Sequence, residues 1–291
     1  MAFFNNLLSF PVFLHMLHLL SILLLLIADV TWAASLQISV SLPPLKTLVE
    51  QLGGTQVQVN LLVKPGADPH HFQPTPQDIR RLAQSDLYIA AGMPFEQIWL
   101  PRLRATYPDL MIIPSPVETA HHDHRHDVEH PDPHFWTDPD QMRLFAQHIS
   151  KHLAKHNPRQ TAMYQQNYAT LARQLRVLDQ TIRTILKPVR QRQFLVWHPA
   201  WGHFAAAYDL IQVALQDAGK QPGAQSLVRL RQQAQAQQIR AILMQPQIQR
   251  RLIRQIAADM QIQLIPADPL AADYAANLLQ LARNLAQALA P

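Results

Sequence analysis

The sequence of 291 residues contains no cysteine. We expect no lipoprotein anchor, because such an anchor requires a cysteine at the point where the leader is cleaved. Disulfide bonds are excluded as well, although a core of this size does not require them. The absence of cysteine therefore excludes attachment to a membrane through a lipid-modified cysteine, and it does not indicate the redox compartment.

Lysine and arginine are absent before Lys46, whereas residues 7–27 are almost wholly apolar. The small-residue run TWAAS follows, so the pattern predicts a signal peptide over residues 1–33, cleaved after Ala33, and export of the mature chain. The leader lacks the usual positive residues, and its apolar run is long enough to span a membrane. An uncleaved membrane anchor is therefore the alternative.

The mature chain would carry 25 basic and 19 acidic residues, a net charge of +6. Its positive residues are spread along the sequence, except for Arg250, Arg251 and Arg254, and no aromatic residues alternate with them. This distribution favours a solvated helix face, so we expect no nucleic-acid partner.

Short apolar runs alternate with helical patterns along the mature chain. This alternation is typical of parallel sheets covered by helices. Four runs precede a segment of helical signals and four follow it, which predicts an α/β protein of two lobes. The predicted strands are residues 36–41, 57–63, 87–91, 111–113, 194–197, 211–215, 241–244 and 262–265.

The segment between the two sets of strands predicts a long linking helix. Asn157-Pro158 is a helix-start signal, and apolar residues then recur every three or four positions until Pro188. A helix of this length permits only small movements of the lobes. We therefore predict an N-terminal lobe over residues 34–156, a linking helix over 157–188 and a C-terminal lobe over 189–291, with an ordinary long helix within one large domain as the alternative.

Four stretches contain candidate metal ligands, and most of them follow predicted strands. In open α/β sheets, ligands collect beyond the carboxyl ends of the strands. Three imidazoles and one carboxylate converging there suit a divalent transition metal, zinc first. The candidates lie in GADPHHF, DPHFW, HPAWGHF and PADPL: His70, His71, His134, His198, His203 and Asp268.

Several motifs occur in an order that is similar to a known family. GADPHHFQPTPQD, AGMPFEQIWL, DPHFWTDP, HPAWGHFAAAYDL, DAGKQP and ADPLAADYAANL resemble the metal-binding proteins of ABC transporters, and more narrowly their periplasmic zinc-uptake branch. The resemblance runs from about residue 36 to the C-terminus. It implies a periplasmic, monomeric solute-binding protein with no enzymatic activity. Such a protein holds Zn²⁺ between two α/β lobes joined by one long helix, and delivers it to an inner-membrane permease with a cytoplasmic ATPase.

The resemblance also implies a ligand set, which comprises His70, His134, His198 and Asp268. Manganese carriers of the family usually have glutamate at the position of His198, and imidazole there favours zinc. Manganese or another divalent metal carried by the same transporter class is the alternative cargo. Because neutral imidazole is needed for binding, we expect the affinity to fall as the pH drops through about 6.5.

Two histidines depart from the family pattern. His71 stands where relatives have an acidic or small residue, so it is an auxiliary ligand candidate. His203 replaces a frequent tyrosine, and we expect it to form the hydrogen bond of that tyrosine, with approach to the metal as the alternative.

A His-rich run, HHDHRHDVEHPDPH, ends at His134. The residues before His134 are charged and flanked by proline, so a core could not bury them without unpaired polar groups. We predict that the loop 121–133 captures zinc weakly near the cleft. Its auxiliary ligand candidates are His121, His122, His124, His126 and His130.

The remaining alternatives are a zinc-containing adhesin and a zinc hydrolase. A hydrolase is disfavoured because the chain has no HExxH motif and no acid directly after a candidate ligand; Glu96, the one acid worth considering, is expected to support the N-lobe loops. His148, His152 and His156 recur every four residues along one predicted helix. A solvated helix flank is the favoured interpretation of these three, and metal chelation is the alternative.

Overall fold

The protein is described by a computed structural model that covers residues 35–119, 132–216, 223–246 and 250–290. The predicted signal peptide and the five upstream histidines of the His-rich run lie outside the described residues. The strands are β1 (Leu36–Val40), β2 (Val57–Leu61), β3 (Leu87–Ile89), β4 (Met111–Ile113), β5 (Gln193–Val196), β6 (Ile211–Ala214), β7 (Ala241–Met244) and β8 (Gln263–Pro266).

Ten α-helices accompany these strands within the described ranges. They are α1 (Pro43–Gly53), α2 (Pro76–Ala83), α3 (Pro94–Thr106), α4 (Pro116–Thr119), α5 (Pro139–His156), α6 (Thr161–Leu186), α7 (Gly202–Ala207), α8 (Ala224–Ala236), α9 (Arg250–Met260) and α10 (Tyr274–Ala288). None of the helices described is long and apolar enough to cross a membrane.

The strands form two parallel sheets with the same topology. Their orders are β2-β1-β3-β4 and β6-β5-β7-β8. All eight predicted strands are present, each shifted by at most two residues at an end. The predicted two-lobe α/β class is therefore confirmed. In each sheet the second strand lies on one side of the first strand, and the third and fourth strands lie on the other side. Open α/β sheets bind ligands at the point where the strand order reverses in this way.

Both faces of the second sheet are buried because helices cover both sides. On β5, Phe194 and Val196 belong to the larger apolar cluster, whereas Leu195 and the next residue after the strand, Trp197, belong to a smaller cluster with α8 and α9. Successive side chains of a strand point to opposite faces, so a strand covered on both sides reads as a continuous apolar run. This is why FLVW shows no polar alternation.

The linking helix α6 is 26 residues long. Its apolar stripe, which includes Tyr164, Leu171 and Ile182, is buried against helices from both halves of the chain, among them α1 and α10. The helix begins later than predicted: residues Pro158–Gln160 form a 3₁₀ turn, and the Asn157 side chain makes no capping hydrogen bond. The predicted lobe boundaries at residues 156 and 189 stay predictions.

Glu96 is fully buried near the carboxyl ends of β1 and β3. Its carboxylate accepts hydrogen bonds from the hydroxyls of Ser41 and Tyr88 and from the amides of Ala91 and Met93. Burial raises the pKa of Glu96, and these four donors partly offset that effect. The side chain thus joins two strand ends to the start of α3, as expected for a residue that supports the loops.

We predict that Glu96→Gln destabilises the fold. The new amide N–H groups would face existing donors, and each mismatched buried group costs roughly 1–3 kcal/mol. Urea unfolding of the metal-free protein measures the change. Glu50→Gln is the control, because Glu50 is an exposed partner of Lys46 and surface ion pairs contribute about 0–1 kcal/mol. Equal effects of the two substitutions would contradict the structural role of Glu96.

Candidate metal centre

Three histidines from separate loops meet in the structure. His70 lies between β2 and α2, His134 precedes the 3₁₀ turn Phe135–Thr137, and His198 follows β5. One ligand atom from each of the three lies within 4.8 Å of the others. Both sheets therefore contribute to one site, at the carboxyl ends of their strands.

The distances between the imidazoles fit a shared metal ion. The Nε2 atoms of His70 and His134 are 3.3 Å apart. Two nitrogens bound tetrahedrally to zinc at about 2.0–2.1 Å would be separated by roughly the same distance. The ring centroid of His198 lies 4.4 Å from that of His70 and 5.3 Å from that of His134. Its Nε2 atom is buried and has no hydrogen-bond partner in the described structure, which leaves this nitrogen available to a metal.

The electrostatics of the site keep two imidazoles neutral. Burial, together with the neighbouring His198 and His134, lowers the pKa of His70 to about 3. Burial and the proximity of His134 lower the pKa of His198 to about 4. A neutral imidazole is the form that binds a metal. For these two histidines, proton competition therefore begins well below the pH of about 6.5 expected from the sequence.

Two of the candidate ligands are presented by the same local motif, Asp-Pro-His. The amide of His70 donates to Oδ1 of Asp68 over 2.9 Å, and the amide of His134 donates to Oδ1 of Asp132 over 3.0 Å. The side chain of an aspartate commonly accepts a hydrogen bond from the amide two residues ahead, which forms a turn. The proline between them keeps the backbone of the aspartate in an extended conformation. The aspartates thereby fix the backbone from which each imidazole projects.

The two motifs differ at the second contact of the aspartate. Oδ1 of Asp132 also lies 2.5 Å from Nδ1 of His134. Although burial alone raises the pKa of Asp132, its bonds with His134 hold the pKa below the ordinary value. The carboxylate can only accept, so Nδ1 of His134 carries a proton, and Nε2 is the ring nitrogen that faces His70. This aspartate was not singled out from the sequence, but its place two residues before a candidate ligand was a usable signal.

Asp68 makes its second contact with His71 instead of His70. Its Oδ2 lies 2.6 Å from Nδ1 of His71, whose side chain is 85% exposed. Although burial opposes it, hydrogen bonds from His71 and His70 lower the pKa of Asp68. The structure thus directs His71 away from the three-histidine group and does not bring this auxiliary candidate to the site.

Asp268 is not a member of the three-histidine group. Its Oδ1 accepts the amide of Leu270 over 3.0 Å, which is the same Asp-Pro turn again. The indole of Trp136 donates to the carbonyl of Pro269 over 2.7 Å, so the loop of Asp268 is tied to the loop of His134. The role of Asp268 as a ligand stays a prediction.

The remaining histidines of interest lie elsewhere. Nε2 of His203 donates to the carbonyl of Asp132 over 3.0 Å, which is a hydrogen-bonding position rather than a ligand position. The rings of His148 and His152 contact each other on α5, with centroids 4.7 Å apart. His156 is exposed at the end of the same helix. These three are not part of the group that meets at His134.

Comparison with known proteins places the chain among metal-transport components. A family model described as "ZnuA: Zinc-uptake complex component A periplasmic" matches residues 38–290. A putative metal-binding protein of Chlamydia trachomatis is 28% identical over 251 residues, which cover 86% of this chain and 90% of the relative. The high-affinity zinc uptake system protein ZnuA of Paracoccus denitrificans is 28% identical over 221 residues, covering 61% of this chain and 66% of the relative.

A solved structure supports the same relationship. The crystal structure of a ZnuA superposes with a TM-score of 0.80 at 32% identity, and the match covers 88% of this chain and all of that one.

The lowered histidine pKa values predict a pH-dependent stability of the metal-free protein. Unfolding raises the pKa of His70 and His198 to about 6.5, so the unfolded chain binds protons that the native site rejects. Stability should therefore fall as the pH falls from about 6.5 to 4, by at most about 1.4 kcal/mol per pH unit for each histidine.

Unfolding free energies measured with a chelator across this range test the prediction. The double variant His70→Asn, His198→Asn should have the shallower pH dependence, because it lacks both groups. The same slope in both proteins would contradict the assignment of these pKa values.

Proposed function

This chain belongs to the family of periplasmic zinc-uptake complex component A proteins, and from that membership we propose that it captures Zn²⁺ and delivers it to an ABC transporter. In this proposal the metal is cargo and takes part in no reaction. The family is described as a component of a zinc-uptake complex, and we propose no enzymatic activity for this chain.

The observation that supports zinc as cargo is the donor set. Three imidazoles with ligand atoms within 4.8 Å of one another form a nitrogen-rich site. Imidazole suits zinc and other late first-row metals, whereas manganese prefers carboxylate and water oxygens. The relative from Paracoccus denitrificans is itself named as a high-affinity zinc uptake protein.

We assign His70, His134 and His198 as three of the ligands and Asp268 as the fourth. The tie between Trp136 and Pro269 supports the fourth assignment, because it holds the Asp268 loop beside the His134 loop. Four protein ligands leave no open position for an activated water, and a closed site is suited to holding a metal.

The proposed setting follows from the family and from the N-terminus. A signal peptide over residues 1–33 would export the chain to the periplasm, where it acts as a monomer. The partners are an inner-membrane permease and its cytoplasmic ATPase. The loop 121–133, with its five upstream histidines, would raise the local zinc concentration beside the tight site.

We predict that His198→Ala removes tight zinc binding. Loss of a direct ligand should weaken affinity by more than the roughly 10–100-fold typical of outer partners. Competition with a chelator measures the dissociation constant, and a parallel titration with Mn²⁺ tests selectivity. His156→Ala is the control, because His156 is exposed and outside the group.

A His198→Ala protein that holds zinc as tightly as the wild type would contradict the ligand assignment. Tighter binding of Mn²⁺ than Zn²⁺ by the wild type would contradict the assignment of zinc as cargo.

Deletion of residues 121–130 should spare one tight zinc equivalent and remove weaker ones. The deleted histidines precede Asp132 and His134, which are held by contacts with the rest of the fold. Equilibrium dialysis over a range of Zn²⁺ concentrations counts the tight and weak equivalents. Loss of the tight equivalent would overturn the separation of the run into an accessory loop and one ligand.

A further inference from the structure

We propose that Asp132 and His203 are positioning residues for zinc capture, in a relay that reaches His134 from the C-terminal half of the chain. Asp132 holds the imidazole of His134, and His203 holds Asp132. The inference rests on the proposed function, because it requires that His134 binds the metal.

The first step of the relay is the contact of Asp132 with His134. One carboxylate oxygen faces both the amide and Nδ1 of His134, at 3.0 and 2.5 Å. The bond to Nδ1 fixes the orientation of the ring and its tautomer, and it increases the basicity of Nε2. His134 is also the most buried of the three histidines, 4% exposed, so water does not replace this contact readily.

The second step is the contact of His203 with Asp132. Nε2 of His203, on the first turn of α7, donates to the carbonyl of Asp132 over 3.0 Å. These residues are 71 positions apart in the sequence, so this bond joins the His134 loop to the second half of the chain. It restrains the backbone of Asp132, whereas the carboxylate remains free to act on His134.

The two segments approach each other closely at Gly202. A Cβ at Gly202 would overlap Oδ2 of Asp132 and would approach the side chain of Gln212. Beside it, the amide of Phe204 donates to Oγ1 of Thr137 over 3.3 Å, and that hydroxyl donates to the carbonyl of His134 over 2.9 Å. The start of α7 therefore contacts the His134 loop on both sides of the ligand.

A positioning role of Asp132 and a purely structural role predict different effects on zinc affinity and on the stability of the metal-free protein. Removal of the Asp132 carboxylate would leave the fold in place, since the loop retains its bonds through Trp136 and Thr137. In Asp132→Asn an amide oxygen could still accept from His134, but the bond would lose its charge and hold the imidazole less firmly. Zinc affinity should then fall although the metal-free protein keeps its stability.

The test compares Asp132→Asn, His203→Phe and His203→Tyr with His156→Phe as the matched control. For each full-length protein we would measure the zinc dissociation constant by chelator competition, the melting temperature without metal, and the visible spectrum of the Co²⁺ complex. We expect Asp132→Asn to weaken zinc binding about 10–100-fold and His203→Phe about 2–10-fold. Both should keep the melting temperature within about 2 °C of the wild type.

His203→Tyr supplies a rescue, because its hydroxyl can donate to the same carbonyl. It should recover most of the affinity lost in His203→Phe, and His156→Phe should change nothing. The Co²⁺ spectrum should change in Asp132→Asn, since the geometry at the metal depends on the His134 ring.

Two outcomes would overturn the relay. One is zinc binding within threefold of wild type in both Asp132→Asn and His203→Phe. The other is a lowered melting temperature with an unchanged Co²⁺ spectrum, which would show a structural role only. His198→Ala separates this failure from that of the proposed function: unimpaired zinc binding there would remove the ligand assignment itself, and the relay with it.

Discussion

The site depends on one constraint: three imidazoles share a small buried volume and cannot all be charged. Each proton on one ring disfavours a proton on its neighbours, and burial disfavours all of them. The lowered pKa values of His70 and His198 express this constraint. A divalent cation resolves it, because the lone pairs of neutral imidazoles can converge on a single ion. The surrounding loops keep the three rings close enough for this.

The loops achieve this with one local device used repeatedly. Asp-Pro turns precede His70, His134 and Leu270, and in each the aspartate accepts the amide two residues ahead. The device needs no distant contacts, which explains why the sequence alone indicated where candidate ligands lie. The turns do not determine the orientation of the side chains, which depends on tertiary packing.

The features that sequence reasoning missed are all of this tertiary kind. Asp132 and Asp68 occupy equivalent places in identical tripeptides, yet one contacts its own histidine and the other contacts His71. Nothing within either tripeptide distinguishes them. His71 directly follows the first tripeptide and contacts Asp68, whereas Phe135 follows the second and α7 approaches Asp132. Likewise, Asn157 has the residue type of a helix cap, but a 3₁₀ turn takes its place and the long helix begins later.

The two sheets share one strand order, and each contributes histidines to the site from its own loops. In the described residues, the loop after β5 meets the loop after β2 through the imidazoles of His198 and His70. Along the segment after β5, His198 faces the other two histidines, whereas Gly202 lies against Asp132, so that a side chain at position 202 would have to displace that carboxylate. One short segment thus holds both a residue that would contact the metal and a residue that supports a second ligand from behind.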